Sequence, residues 1–269
     1  MVSIEKITPP DAAGVHYVLM DIDDTLTREG KLGAASYSAL WELHHAGLKV
    51  IPVTGRPAGW CDLIAREWPV DGVIGENGAL AFWEERNGKP VLRQGFHPNA
   101  VRNTHPVLER VRSRVLAEVP GARIAKDQFG RLFDLAVDFA EEEPVLSLDA
   151  AEKIRLIAEA EGAMAKISSI HVNIWMGVYD KLSMTERFLT ERFGWRSATG
   201  DREIIFVGDS PNDEPMFARF PLACAVANIR RYTALIRRGP AFTASRECGE
   251  GFAEIAETLL RKRRVRGLS

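Results

Sequence analysis

The stretch YVLMDIDDTLT, residues 17–27, sets three carboxylates (Asp21, Asp23 and Asp24) directly behind an apolar run. A short apolar run that ends in polar residues is the pattern of a buried strand entering a loop. Carboxylates crowded there repel one another. A buried, unpaired carboxylate costs several kcal/mol or neutralises itself by a shift in pKa, so something positive must sit among these residues. The rest of the chain has to supply or attract it.

Read outward, the run HYVLMDI (16–22) is followed by apolar residues at helical spacing over 33–48, closing near Gly47. A second apolar strand, KVIPVTGR (49–56), precedes a helix candidate over 57–68 opened by Pro57, and DGVIGENGA (71–79) reads as a third strand. Strand and helix in alternation imply a doubly wound, parallel, Rossmann-like α/β sheet. From about residue 80 the rhythm changes. Residues 79–96 read as a hairpin turning at Asn87-Gly88. The spacing then predicts a helix over 99–119, strands over 122–126 and 131–139, a helix over 148–162, and strands over 163–168 and 171–176. Paired strands with helices between them imply an α+β unit. The first rhythm resumes with a helix over 182–194, strands over 203–210 and 221–228, and a closing helix over 251–263. The expected layout is a discontinuous core, 1–83 joined with 180–269, carrying an inserted α+β cap over 84–179.

The formal net charge of -2 gives no basic bias, so no nucleic-acid partner is expected, and 46% hydrophobic residues exclude a disordered chain. No apolar run approaches the ~18 residues a membrane span needs, and MVSIEKITPPDAAG lacks a basic stretch followed by an apolar one. Cys61, Cys224 and Cys248 lie far apart and form neither a zinc spacing nor a disulfide framework. A soluble cytoplasmic protein with no membrane partner, monomeric or homodimeric, is expected. The basic cluster from Arg261 to Arg266 reads as a solvated helix end, where cations suit the helix dipole.

In open α/β sheets the ligand site lies outside the carboxyl ends of the strands. Three polar clusters stand there: DIDDT, then TGR (Thr54, Gly55, Arg56), then GDSPND (Asp209, Ser210, Asn212, Asp213). Their ligands are hard oxygens with no His or Cys, which suits Mg2+ rather than zinc, and Mg2+ bound by few carboxylates favours phosphate chemistry. Phosphoryl transfer needs charge neutralisation, for which Thr54 and a lysine serve; Lys181, at a helix start where the core resumes, is the candidate. A carboxylate can be the nucleophile, and Asp23 can then move the proton. Each cluster alone reads as a helix cap or an Asx turn. Their combination, each behind an apolar strand and in this order, carries the reading.

These residues resemble the haloacid dehalogenase (HAD) superfamily. VLMDIDDTLT is similar to its first motif with Asp21, Asp23 and Thr25 in the fixed positions, VTGR to the second at Thr54, Lys181 to the third, and VGDSPNDEPMF to the fourth at Asp209 and Asp213. The resemblance implies Asp21 as nucleophile and metal ligand, Asp23 as general acid/base with its carbonyl on Mg2+, Thr54 and Lys181 on the phosphoryl group, and Asp209 with Asp213 at the metal. The second motif-one Asp implies a phosphatase or phosphomutase, not a dehalogenase. An insertion after IGENGA, together with AVAN (225–228) and GEGFAEI (249–255), resembles the type IIB (Cof-like, sucrose-phosphatase-like) branch. The implied activity is hydrolysis of a small phosphorylated metabolite, a sugar phosphate or a phosphorylated acid, through an aspartyl-phosphate. A phosphomutase is the alternative within enzymes; a phosphoaccepting signalling module fits less well, because of the insertion and the separate GDSPND element. In the cap, Arg123, Lys126 and Arg131 are polar candidates. His171 and Asn173 alternate with Val172 and Ile174 and so share one strand face, the best candidate for a substrate-facing surface. Gly55, Arg56 and Asn212 complete the expected substrate contacts. Asp24 stands where most relatives have Gly and has no assigned task.

Overall fold

Tyr17–Met20 is buried at every residue, and its side chains alternate between two cores. Val18 and Met20 pack with Val50, Ile205 and Val207 beneath Leu40, Leu43, Phe252 and Leu259 of the helices Ala34–His45 and Cys248–Arg264. Tyr17 and Leu19 pack with Ile51, Ile204 and Phe206 against Met184, Phe188, Met216 and Phe217 of the helices Lys181–Phe193 and Glu214–Arg219. An unbroken apolar strand is what a sheet covered on both faces requires. The protein, described by a computed structural model over residues 1–264, is therefore a doubly wound α/β sheet with an additional antiparallel unit; Arg266 of the basic cluster lies outside the described residues.

The central sheet runs Val2–Ser3, Phe242–Thr243, Cys224–Ala225, Ile204–Gly208, Tyr17–Met20, Lys49–Pro52, with every pairing parallel. A parallel bridge between Val53 and Ile74 extends it to Val73–Gly75, which pairs antiparallel with the hairpin Leu80–Glu85 and Val91–Phe96. The hairpin thus grows from the sheet edge, and its turn contains Gly88 at φ +114°. Met20 stands opposite both Val207 and Pro52, so the carboxyl ends of the three central strands lie abreast. That register decides what meets at the sheet's edge.

A second sheet, fully antiparallel, runs Met164–Ile167, His171–Trp175, Asp134–Asp138, Arg123–Ile124. Leu135, Val137, Val172 and Ile174 cover one face and pack beneath the helices Pro106–Glu118 and Leu148–Ala160. Val172 and Ile174 are fully buried, each contributing about 1.5–3 kcal/mol. Strand alternation then turns Asp134, Asp138, His171 and Asn173 to the other face.

Several boundaries differ from the sequence-based expectation. The helix expected from residue 99 begins at Pro106, a favoured first position, capped by His105 Nδ1 accepting from Val107 N. The strand expected over 71–79 stops at Gly75, because Glu76 and Asn77 turn to φ +45° and +53°. The strand over 221–228 shrinks to Cys224–Ala225, and the closing helix starts earlier, at Cys248. The N-terminal segment forms an edge strand, Val2–Ser3, and a helix, Pro9–Gly14, that two- and six-residue signals do not announce. Cys61, Cys224 and Cys248 are buried free thiols, and no described helix is long and apolar enough to cross a membrane.

Candidate active site

Asp21 follows its strand directly, its N–H donating to Val207 O at 2.9 Å, and Asp209 follows Gly208 on the neighbouring strand. Gly208 is required there: a Cβ would overlap the carboxylate of Asp213, which instead accepts from Asp209 N at 3.0 Å and Ser210 N at 3.3 Å. Lys181 opens its helix behind the Asp180 cap, whose carboxylate accepts from Ser183 N at 2.7 Å. The turn at Glu76–Gly78 presses on that helix start, and a Cβ on Gly78 (φ +104°) would overlap Asp180 O.

These supports bring Lys181 Nζ to 2.9 Å from Asp21 Oδ1 and 2.8 Å from Asp213 Oδ1. Asp209 completes a buried triad with Asp21 and Asp213, one carboxylate oxygen of each lying within 4.8 Å of the others. Thr25 Oγ1 donates to Asp209 Oδ1 at 3.1 Å. Asn228 Nδ2 donates to Asp209 Oδ2 at 3.1 Å and to Asp24 O at 3.0 Å, tying the two loops together. Burial, and then repulsion from Asp213 and Asp23 against the pull of Lys181, pushes Asp21 up to about 7. Burial and the neighbours Asp213 and Asp21 hold Asp209 well above the usual carboxylate range. Burial opposes the Lys181 charge, but Asp21 and Asp213 overcome it and hold the ammonium. One lysine cannot neutralise three carboxylates. The donor set is all oxygen and anionic, and it fits a hard divalent cation.

Asp23 points elsewhere. Arg56 clasps it with Nε at 3.0 and 2.9 Å and Nη2 at 2.8 Å, while Arg56 Nη1 reaches Asp127 at 3.3 Å and Glu141 at 2.7 Å across the antiparallel unit. The guanidinium lies over the Trp60 ring at 4.2 Å. His171 Nε2 meets Glu141 Oε2 at 2.8 Å; burial works against Glu141, yet His171 and Arg56 hold it down to about 2. Arg131 joins Asp127, Asp134 and Gly55 O, and Asn173 Nδ2 donates to Asp134 at 3.0 Å. The polar sheet face that carries His171 and Asn173 therefore lies against the Thr54–Arg56 loop. Thr54 is fully buried, its Oγ1 accepting from Arg56 N at 3.0 Å, and Asn212 accepts from Ser210 Oγ at 2.8 Å without reaching the acidic triad. Arg123 pairs with Asp138 and Lys126 with Glu142.

The family model for haloacid dehalogenase-like hydrolases matches residues 18–127. A phosphoglycolate phosphatase of Haloarcula marismortui is 30% identical over 256 residues, covering 93% of this chain and 97% of that protein. The chain belongs to the haloacid dehalogenase-like hydrolases. It is an enzyme, a phosphatase of that family. A solved structure from Thermoplasma acidophilum shares this hydrolase's fold at a TM-score of 0.68, with 20% identity over 91% of this chain and 98% of that one. A subclass IIB sugar phosphatase shares it at a TM-score of 0.60, with 14% identity over 92% and 98%.

Four groups at the site had no role in the sequence reading. Asn228 lies in the AVAN segment, whose resemblance gave no task. Glu141 stands in a run of three glutamates, and Asp127 in a polar turn, with nothing to single either out. Glu76 is fully buried and accepts from the N–H groups of Ala58, Leu132, Phe133 and Asp134, fastening the antiparallel unit to the core. Burial and then Asp134, against those N–H groups, push its carboxyl up to about 7.

Proposed function

We propose that this hydrolase is a Mg2+-dependent phosphatase of small phosphorylated metabolites, sugar phosphates or phosphorylated acids, working through an aspartyl-phosphate. The observation that carries the reading is the Lys181 ammonium held between Asp21 and Asp213 beside Asp209. Asp21, Asp209 and Asp213, with the Asp23 carbonyl, would hold Mg2+. Bound there, the ion would neutralise charge on the phosphoryl oxygens.

Lys181 engages Asp21 Oδ1, and Oδ2 is the oxygen free of that pair. Asp21 attacks phosphorus as the bond to the leaving oxygen breaks, and Asp23 gives that oxygen its proton. Asp23 then takes a proton from water, whose oxygen attacks the same phosphorus and frees the Asp21 carboxylate and inorganic phosphate. The Thr54 hydroxyl and Lys181 hold the nonbridging oxygens through both steps. Arg56 must loosen its grip on Asp23 for the proton to move. Because that grip reaches Asp127 and Glu141, opening of the antiparallel unit, the cap formed within residues 84–179, exposes the site and releases Asp23 together.

Phosphate release from a panel of phosphorylated metabolites, with Mg2+ and with EDTA, tests the reading. Release that needs the metal supports it. Isomerised product without free phosphate would make the enzyme a mutase, and release unaffected by EDTA would remove the metal from the mechanism.

A further inference from the structure

Asn77 joins the two segments that carry Thr54 and Lys181. Its N–H donates to Thr54 O at 3.0 Å. The next residue, Gly78, packs so tightly on the start of the Lys181 helix that an added Cβ would overlap Asp180 O and lie 3.1 Å from Lys181 N. The backbone reaches this position by turning left-handed at Asn77, φ +53°. The side chain folds against the Thr54–Arg56 loop, with Nδ2 3.1 Å from the position that a Cβ on Gly55 would take. Asn77 is 2% exposed, and this buried amide nitrogen donates to no acceptor among the described residues. Asn173 Oδ1 reaches to 3.1 Å from the same position and still does not accept from it. Trp175 Nε1 and Tyr179 Oη also lack partners there, but their rings stack at 5.5 Å within the apolar core, whereas Asn77 lies beside Thr54 and Gly55.

Two further donors stand on that loop. Thr54 Oγ1 accepts from Arg56 N at 3.0 Å, which leaves its own proton to be given elsewhere, and the Gly55 N–H has no acceptor among the described residues. A buried donor without an acceptor is costly, and each such group in a folded protein calls for a partner. A hydroxyl, an N–H and an amide side by side fit a group that only accepts, and a phosphoryl group offers three oxygens. We propose that Asn77 Nδ2 donates to a nonbridging phosphoryl oxygen and is a further catalytic residue. This rests on the phosphatase reading above, which places Thr54 and Lys181 on the same oxygens, and deepens it. The left-handed turn favours glycine, asparagine and aspartate, and of these only asparagine supplies a neutral donor. Such a donor holds the phosphoryl oxygens without disturbing the balance of Lys181 against the three carboxylates.

Asn77→Gly keeps the turn and removes the amide; Asn77→Asp keeps the size of the side chain and replaces the donor with an acceptor. Inorganic phosphate carries the same oxygens and is the probe, titrated with Mg2+ by calorimetry and followed as a rise in melting temperature. Kinetics on the best substrate of the metabolite panel run alongside. Both variants are expected to bind phosphate about ten-fold or more weakly than the parent, and kcat/KM should fall by about a hundred-fold. In EDTA without phosphate, Asn77→Gly should melt within about 3 °C of the parent. Parental phosphate affinity and parental kcat/KM in Asn77→Gly overturn the assignment and leave the phosphatase standing. A lowered melting temperature with phosphate affinity intact does the same, because it marks a purely structural amide. Should Asn77→Gly fail to fold, Asn77→Asp carries the same readings. A parent that neither binds phosphate nor releases it from any member of the panel defeats the phosphatase reading, and this inference with it.

Discussion

Replacing Lys181 with Met keeps an unbranched side chain of similar length and deletes the one ammonium within the acidic triad. The lysine side chain is 2% exposed and makes two charge-assisted bonds, at 2.9 Å to Asp21 and 2.8 Å to Asp213, whose side chains are 5% and 0% exposed. Removing one partner of such a buried pair costs about 3–5 kcal/mol, because the remaining charges are left uncompensated. In a chain of this size 1 kcal/mol corresponds to about 2 °C, so Lys181→Met should melt about 6–10 °C below the parent in EDTA. An ion bound only by the folded state stabilises it by RT ln(1 + [L]/Kd), about 2.7 kcal/mol at a hundred-fold excess over Kd. Three carboxylates without their lysine attract a cation more strongly, so Mg2+ should raise the melting temperature of the variant more than that of the parent. Phosphate release should fall by about a hundred-fold or more, as when a single donor to a developing oxyanion is lost. Thermal unfolding by circular dichroism in EDTA and in Mg2+, with a phosphate assay alongside, reads all three. A variant that melts with the parent in EDTA, gains no more from Mg2+, or retains parental turnover refutes the assignment of Lys181.

Asp21→Asn should abolish phosphate release while the circular dichroism spectrum and gel-filtration volume stay unchanged; appreciable turnover would end the covalent mechanism. Asp23→Asn should still form phosphoenzyme, but slow both its formation and its breakdown in rapid-quench experiments, and unchanged rates would take Asp23 out of proton transfer. Glu76→Gln exchanges an acceptor-only carboxylate for an amide whose NH2 faces backbone N–H groups, and should lower stability to urea by about 2–4 kcal/mol; a loss below 0.5 kcal/mol would show that Glu76 does not fasten the two units. Asp24 sits at φ +55°, a conformation costing roughly 1–2 kcal/mol for a residue with a Cβ, so Asp24→Gly should leave stability equal or up to about 1 kcal/mol higher despite glycine's unfolded-state entropy. A clear loss in urea melts would mean that the Asp24 side chain contributes to folding.

What was legible in the sequence followed from periodicity and from strand ends. The runs at 17–20, 50–52 and 204–208 are apolar throughout because both sheet faces are covered, and the polar residues just past them mark where the sheet stops. Asp21, Asp209 and Asp213 could therefore be assembled on paper, and register did the rest: Met20 opposite Val207 brings the next residues abreast. The alternation of His171 and Asn173 with Val172 and Ile174 likewise fixed which face those side chains share. Non-local pairing was illegible. No spacing rule connects Arg56 to Glu141, 85 positions away, or Glu76 to the backbone of Leu132 and Phe133, because these contacts depend on how one unit docks on the other. Left-handed backbone was illegible too. Glu76, Asn77 and Cys248 adopt positive φ although only Asn is a common occupant of that region, so the strand over 71–79 ends at Gly75 and the closing helix begins at Cys248, where periodicity alone does not place them.

Asp24 shows how the two kinds of information combine. At φ +55° its backbone needs a residue that tolerates left-handed geometry, which suits the glycine that the family resemblance leads one to expect here and makes aspartate an acceptable substitute. Its carbonyl then accepts from Asn228, which also holds Asp209, so the turn positions the metal-ligand candidates whichever residue occupies it. Glycine would satisfy that requirement alone. Aspartate adds a carboxyl that burial, opposed by a hydrogen bond from Ser169 and reinforced by Asp23, pushes above the usual carboxylate range, a cost that the turn itself does not demand. The Asp24 side chain instead lines the cavity beside Asp23 and meets the Ser169 hydroxyl. The departure from glycine therefore lies in what the side chain meets and not in what the turn requires.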